Sequence, residues 1–224
     1  MTKCHGFIFG EQNEDILQIT SPKIMTLFFS SFRAEQNNNF VALDVVPFDI
    51  PSSWKWVKIK DLCEIINGFT PLRSNKEFWS SKDIPWFTVE DIHNQGRFIY
   101  KTQQHISSKA LSNKTKRILP PDTVLLCCTA SIGEYAYTKI SLTTNQQFNG
   151  LVIKEDCKSL VNPLFLLEFV KTLKYKLKSQ SNTMTFGFLS TEKLGNMEFP
   201  LPPIEEQQRI VDKLETILPL MEDI

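Results

Sequence analysis

Apolar residues recur at Ile204, Val211, Leu214, Leu218 and Met221, at intervals of three, four and seven that draw a narrow stripe along a helix. That helix is predicted to start directly after Pro200-Leu201-Pro202-Pro203, because the prolines hold the approach extended and Pro203 has the φ of a first helical turn. Glu205 and Glu206 then lie at the positive end of the helix dipole, and Arg209 and Lys213 follow at intervals of four. So narrow a stripe suits a seam with a partner helix, the alternative being a surface helix packed on its own domain. Pro219 falls inside the stripe and predicts a kink, an early end or an irregular last turn.

Upstream the pattern changes to short apolar runs separated by turn residues. Strands are predicted at 54–59, 63–66, 86–89, 123–129, 135–138 and 148–153. One longer helix is expected from Asn162-Pro163 to Ser179, with Asn162 as N-cap and Leu166, Phe169, Val170, Leu173 and Leu177 on one face. A shorter helix is expected from Ser190 to Gly195. Short strands with few helices and no βαβ alternation predict an α+β domain around a mixed or barrel-like antiparallel sheet. Two prolines and two serines between Pro47 and Ser53 mark a boundary. The chain is accordingly divided into an N-terminal extension (1–46), a main domain (47–202) and the start of the C-terminal helix (203–224).

With 224 residues, 42% of them hydrophobic and 22% charged, the chain is long enough for one sizeable core. No apolar run is long enough to span a bilayer, and no secretory signal is visible, so a cytoplasmic location is expected. The five cysteines contain no C-x-x-C pair, which makes a disulfide framework or a zinc site an unsuitable reading, and Cys127 and Cys128, next to an apolar run, read as reduced core residues. The formal net charge of zero hides an uneven distribution: Lys101, Lys109, Lys114, Lys116 and Arg117 lie in one stretch without an acidic residue. Such a stretch can contact phosphates or can simply be a solvated loop.

Enzyme signatures are absent from the sequence. The eight glycines form neither a dinucleotide-binding nor a phosphate-cradling loop, and no histidine belongs to an H-x-x-x-H pair. Glu90, Asp91 and His93 sit together, but an ordinary loop histidine is the simpler reading. There is no G-x-S-x-G elbow and no Asp-Pro-Pro-Tyr or Asn-Pro-Pro-Tyr run. What stands out is a set of polar turns: Asn67-Gly68-Phe69-Thr70-Pro71, Thr129-Ala130-Ser131-Ile132-Gly133, Asn145-Gln146-Gln147 and Asn182-Thr183-Met184-Thr185-Phe186-Gly187. In the first, Gly68 is expected to supply positive φ and Thr70 a hydroxyl. Amides and hydroxyls can read base edges while cations hold phosphates. Taken singly, each turn is an ordinary loop.

Their order is more specific. Pro51-Ser52-Ser53-Trp54, Gly68-Phe69-Thr70-Pro71, Ile84-Pro85-Trp86, Leu119-Pro120-Pro121-Asp122, Ile132-Gly133, Asn145-Gln146-Gln147 and Pro200-Leu201-Pro202-Pro203 with Glu206-Gln207 occur in succession. Over residues 47–218 the chain resembles the specificity subunits of type I restriction-modification systems: one target-recognition domain plus the start of a spacer helix. The resemblance implies a non-catalytic module that directs an adenine methyltransferase subunit and a restriction subunit to double-stranded DNA. S-adenosylmethionine, ATP and magnesium would sit on those partners and no cofactor on this chain. The candidate DNA-contacting residues are Thr70, Arg73, Lys109, Lys114, Lys116, Arg117, Ser131, Asn145, Gln146, Thr183 and Thr185. Ile204, Val211, Leu214, Leu218 and Met221 would form the helix seam, and the four tryptophans are assigned to the core. Complete subunits of that family usually carry two recognition domains and two long helices. The chain is therefore expected to be a half-subunit, a truncated product or a fragment, with the other domain supplied by a second copy or a different polypeptide. The alternative function is an assembly module that does not touch DNA.

Overall fold

The computed structural model describes residues 48–111, 117–129, 133–181 and 189–222, without side chains for 174–181 and 218–222. The strands are β1 (Lys55–Lys58), β2 (Cys63–Asn67), β3 (Ile84–Phe87), β4 (Phe98–Ile99), β5 (Gln104–Ile106), β6 (Thr123–Cys127), β7 (Tyr135–Thr138), β8 (Thr143–Thr144), β9 (Phe148–Ile153) and β10 (Glu198–Leu201), with helices interspersed among them. These are α1 (Ile59–Leu62), α2 (Val89–Gln95), α3 (Ser108–Leu111), α4 (Pro163–Ser181), α5 (Thr191–Gly195) and α6 (Ile204–Glu222).

The central sheet has the order β2-β9-β6-β7-β4, antiparallel except for the parallel pair β4 and β7. A smaller sheet, β5-β3-β8, is also mixed, and β1 pairs antiparallel with β10. The mixed α+β arrangement is thus realised with open sheets, and the described residues form no closed barrel.

All five residues of β6 are buried because both faces of the central sheet are covered. Alternation assigns Val124 and Leu126 to one core with α4, while Leu125 and Cys127 enter another with Phe87, Ile92 and Phe148. A third cluster, Phe69, Trp86, Ile106, Ala110 and Leu111, lies beneath the segment that follows β2.

The helix starts follow from local chemistry. The Asn162 carboxamide oxygen accepts the Leu164 amide at 2.9 Å, and Ser190 Oγ accepts that of Lys193 at 3.1 Å. Helix α2 replaces the end of the predicted 86–89 strand, because Thr88 and Asp91 form a capping box there. The Asp91 carboxylate accepts the amides of Thr88 and Gln103, both at 2.8 Å, so it serves backbone structure. Helix α6 continues through Pro219 to Glu222 instead of ending there. The described cysteines, Cys63, Cys127, Cys128 and Cys157, are all free and buried, and burial pushes the thiols of Cys63 and Cys128 up to about 12.

Candidate nucleic-acid interface

Two of the polar turns meet. At the end of β2, the Asn67 carboxamide donates to the backbone oxygens of Gln146 (3.1 Å) and Phe148 (3.3 Å) and to Asn149 Oδ1 (2.9 Å). The amides of Gly68 and Phe69 donate to Phe148 and Thr144 at 3.1 and 2.8 Å. Close approach, not positive φ, is what requires glycine at 68: a Cβ there would lie 2.1 Å from the Asn145 carbonyl oxygen and 2.1 Å from Thr144 Oγ1. The expectation of a left-handed residue is corrected accordingly.

The junction leaves polar groups at the surface. Thr70 and Gln146 are exposed, and the Thr70 hydroxyl donates to the Gln146 side-chain oxygen. Asn145 is instead 9% exposed and is consumed by its own turn: its Oδ1 accepts the Gln147 amide and its Nδ2 donates to Gln147 Oε1, both at 3.0 Å. Arg117 is half-buried and donates to the Gly68 carbonyl at 2.8 Å, with its guanidinium 5.7 Å from the Phe69 ring centre. It fastens the turn from behind.

Arg73, three residues beyond Thr70, is exposed yet held. Its guanidinium lies 3.7 Å from the ring centre of Trp79 and 4.7 Å from that of Trp86, and it donates to Gln104 Oε1 at 2.8 Å. The two indoles pack edge to face and donate to Leu72 and Phe69 backbone oxygens. Trp86 is a core residue, as is Trp54, whereas Trp79 and Trp56 are only half-buried. Lys109 pairs with Glu77 at 3.3 Å, both well exposed, so part of its charge is neutralised by a weak surface pair.

The structure thus gathers Thr70, Arg73, Arg117, Asn145 and Gln146 around one segment, while Lys114, Lys116, Ser131, Thr183 and Thr185 lie outside the described residues. Sequence reasoning missed Asn67 and Gln104 as partners in this surface. Asn67 carried a signal, as an amide at a strand end before glycine; Gln104 carried none. Among the described residues no group of three or more His, Cys, Asp or Glu side chains could hold a metal ion. None of their helices is long and apolar enough to cross a membrane.

Of the seam residues, Val211 and Leu214 are buried at 2% and 9% exposure and Ile204 is half-buried. Val211 belongs to the core it shares with α4, so the first turns of α6 pack on the chain itself. The side chains of Leu218 and Met221 are outside the description. Gln207, fully buried, ties α6 to the start of α4. Its Oε1 accepts the Asn162 amide at 2.8 Å, and its Nε2 donates to the carbonyls of Leu160 and Pro202, each at 2.8 Å.

An open mixed-sheet scaffold carries a rim of amides, a hydroxyl and an arginine held by hydrogen bonds and ring packing. The chain belongs to the family of the type I restriction modification DNA specificity domain, whose model matches residues 51–222. It is 37% identical over 199 residues to the type I restriction enzyme MjaIX specificity subunit of Methanocaldococcus jannaschii, covering 88% of this chain and 44% of that protein. It is 32% identical over 148 residues to the EcoprrI specificity subunit of Escherichia coli, covering 66% of this chain and 36% of that one. The chain therefore spans less than half the length of these relatives. The HsdS subunit from Thermoanaerobacter tengcongensis shares the fold, with a TM-score of 0.62 and 22% identity over 79% of this chain and 40% of that one. A chain from a structure of a type I R-M system, solved for its complex assembly and conformational transition, superposes over 94% of this chain and 46% of its own, with a TM-score of 0.66 and 22% identity.

Proposed function

We propose that this chain reads a short sequence in double-stranded DNA and directs type I methyltransferase and restriction subunits to it. The carrying observation is the junction of the 67–70 and 145–147 turns, which holds Thr70 and Gln146 side by side at the surface with Arg73 on the same segment. Side chains held in one geometry by backbone hydrogen bonds suit base edges, whereas phosphate contacts need little more than charge. The printed names of the relatives support the same reading. The chemistry of methyl transfer and its cofactors would belong to the partner subunits. Helix α6 would continue the domain into a helical spacer that pairs with a second copy or a second recognition domain.

Phosphate contacts would come from the basic stretch. Lys114→Glu combined with Lys116→Glu is expected to weaken duplex binding by the chain in complex with its methyltransferase subunit. The slope of log affinity against log salt should fall by about two, roughly one for each lysine removed. Fluorescence anisotropy over a salt series measures both. Unchanged affinity and slope, with the complex intact, would instead support a module that assembles subunits without touching DNA.

A further inference from the structure

We propose that Arg73 reads a guanine, with Leu72 against the neighbouring base, so that Arg73 sets specificity at one position of the target instead of gripping a phosphate. This rests on the DNA-reading function proposed above. The first support is how Arg73 is fixed. Its guanidinium sits in the corner formed by the perpendicular Trp79 and Trp86 rings, 3.7 and 4.7 Å from their centres, and one Nη1 donor is directed to Gln104 Oε1 at 2.8 Å. Trp79 in turn donates from Nε1 to the Leu72 carbonyl at 3.3 Å, which ties the ring to the backbone beside Arg73. A planar fork held in one orientation suits a ligand with two acceptors at fixed spacing, and guanine O6 and N7 in the major groove are such a pair.

The second support is the neighbour. Leu72 is 66% exposed, the most exposed large apolar side chain among the described residues. An aliphatic side chain gains nothing beside a phosphate, but against a base edge it has an apolar partner in the thymine methyl group. Leu72 stands between two polar pairs, Thr70 with Gln146 on one side and Arg73 with Gln104 on the other. Polar, apolar and polar groups in succession along one loop match the alternation of chemistry on base-pair edges. The remaining Arg73 donors have no partner among the described residues.

The test is selection of bound duplexes from a library with a random central segment, using the complex of the full chain with its methyltransferase subunit. Arg73→Lys keeps the charge and loses the fork; Arg73→Ala loses both. Both variants are expected to recover the wild-type motif with one guanine position relaxed by about fivefold or more and the others kept. A motif unchanged in both variants, or preference falling equally at every position, overturns the assignment and leaves the DNA-reading function standing. A wild-type complex that enriches no motif overturns that function and the assignment with it.

Discussion

Gly68→Ala is expected to lower stability by about 3 kcal/mol and to abolish target recognition, because the added methyl group enters backbone, not free space. Its Cβ would lie 2.1 Å from the Asn145 oxygen and 2.4 Å from that of Thr144, distances that no rotamer change relieves. The turns must separate, and the hydrogen bonds from Gly68 and Phe69 to Phe148 and Thr144 lengthen with them. The Thr70 to Gln146 contact and the Arg117 bond to Gly68 are carried by the same junction. A loss of this size corresponds to roughly 6–12 °C in Tm for a domain of this length, readable by calorimetry. A melting temperature within a degree of wild type would show that the two turns are not held this closely.

Gln207→Ala is expected to cost about 3 kcal/mol, since it strands three backbone groups at once, that of Pro202 buried and those of Asn162 and Leu160 partly buried. The Asn162 amide and the carbonyls of Leu160 and Pro202 lose their partner, and Gln207 is 0% exposed. Against a total domain stability of about 5–15 kcal/mol this is a large fraction, and helix α6 should loosen from α4 before the sheets unfold. Gln207→Met keeps the volume without the hydrogen bonds and separates the two contributions. The methionine variant is expected to retain most of the loss. Denaturation of both variants in urea measures it, and a methionine variant as stable as wild type would contradict the hydrogen-bond account.

Gln207 also shows where the sequence was legible and where it was not. Ile204, Val211 and Leu214 announced an amphipathic helix, and the proline run located its start, because both signals are local. The place between Ile204 and Val211 is filled by a glutamine at the same helical spacing, and a polar residue inside an apolar stripe is the sign of a buried anchor. Two of its three partners, Asn162 and Leu160, lie 45 and 47 residues away and were invisible. The strands in strongly apolar runs were legible for the same reason, whereas two-residue strands β4 and β8 exist only through their neighbours. Of the outcomes Pro219 offered, an early end of the helix is not the one taken, since α6 runs on to Glu222.

At the candidate interface, residue types were readable but their division of labour was not. Asn145 looked like a reader of bases, and its carboxamide is bonded on both atoms to Gln147 within its own turn. Arg117 looked like a phosphate contact and spends a donor on the Gly68 carbonyl. Arg73 looked like one charge among several, and only the packing of Trp79 and the partner Gln104 from another strand distinguish it. The Arg117 and Arg73 distinctions depend on bonds 49 and 31 residues apart along the chain, which spacing does not encode, whereas that of Asn145 lies within its own turn.

The proposal that this domain reads DNA sequence for a methyltransferase is tested most directly by mapping methylated adenines in DNA from cells that make the chain together with its type I methyltransferase subunit. Methylation is expected at one short motif, present with the chain and absent without it. Methylation scattered without a motif, or a pattern indifferent to the chain, would contradict it.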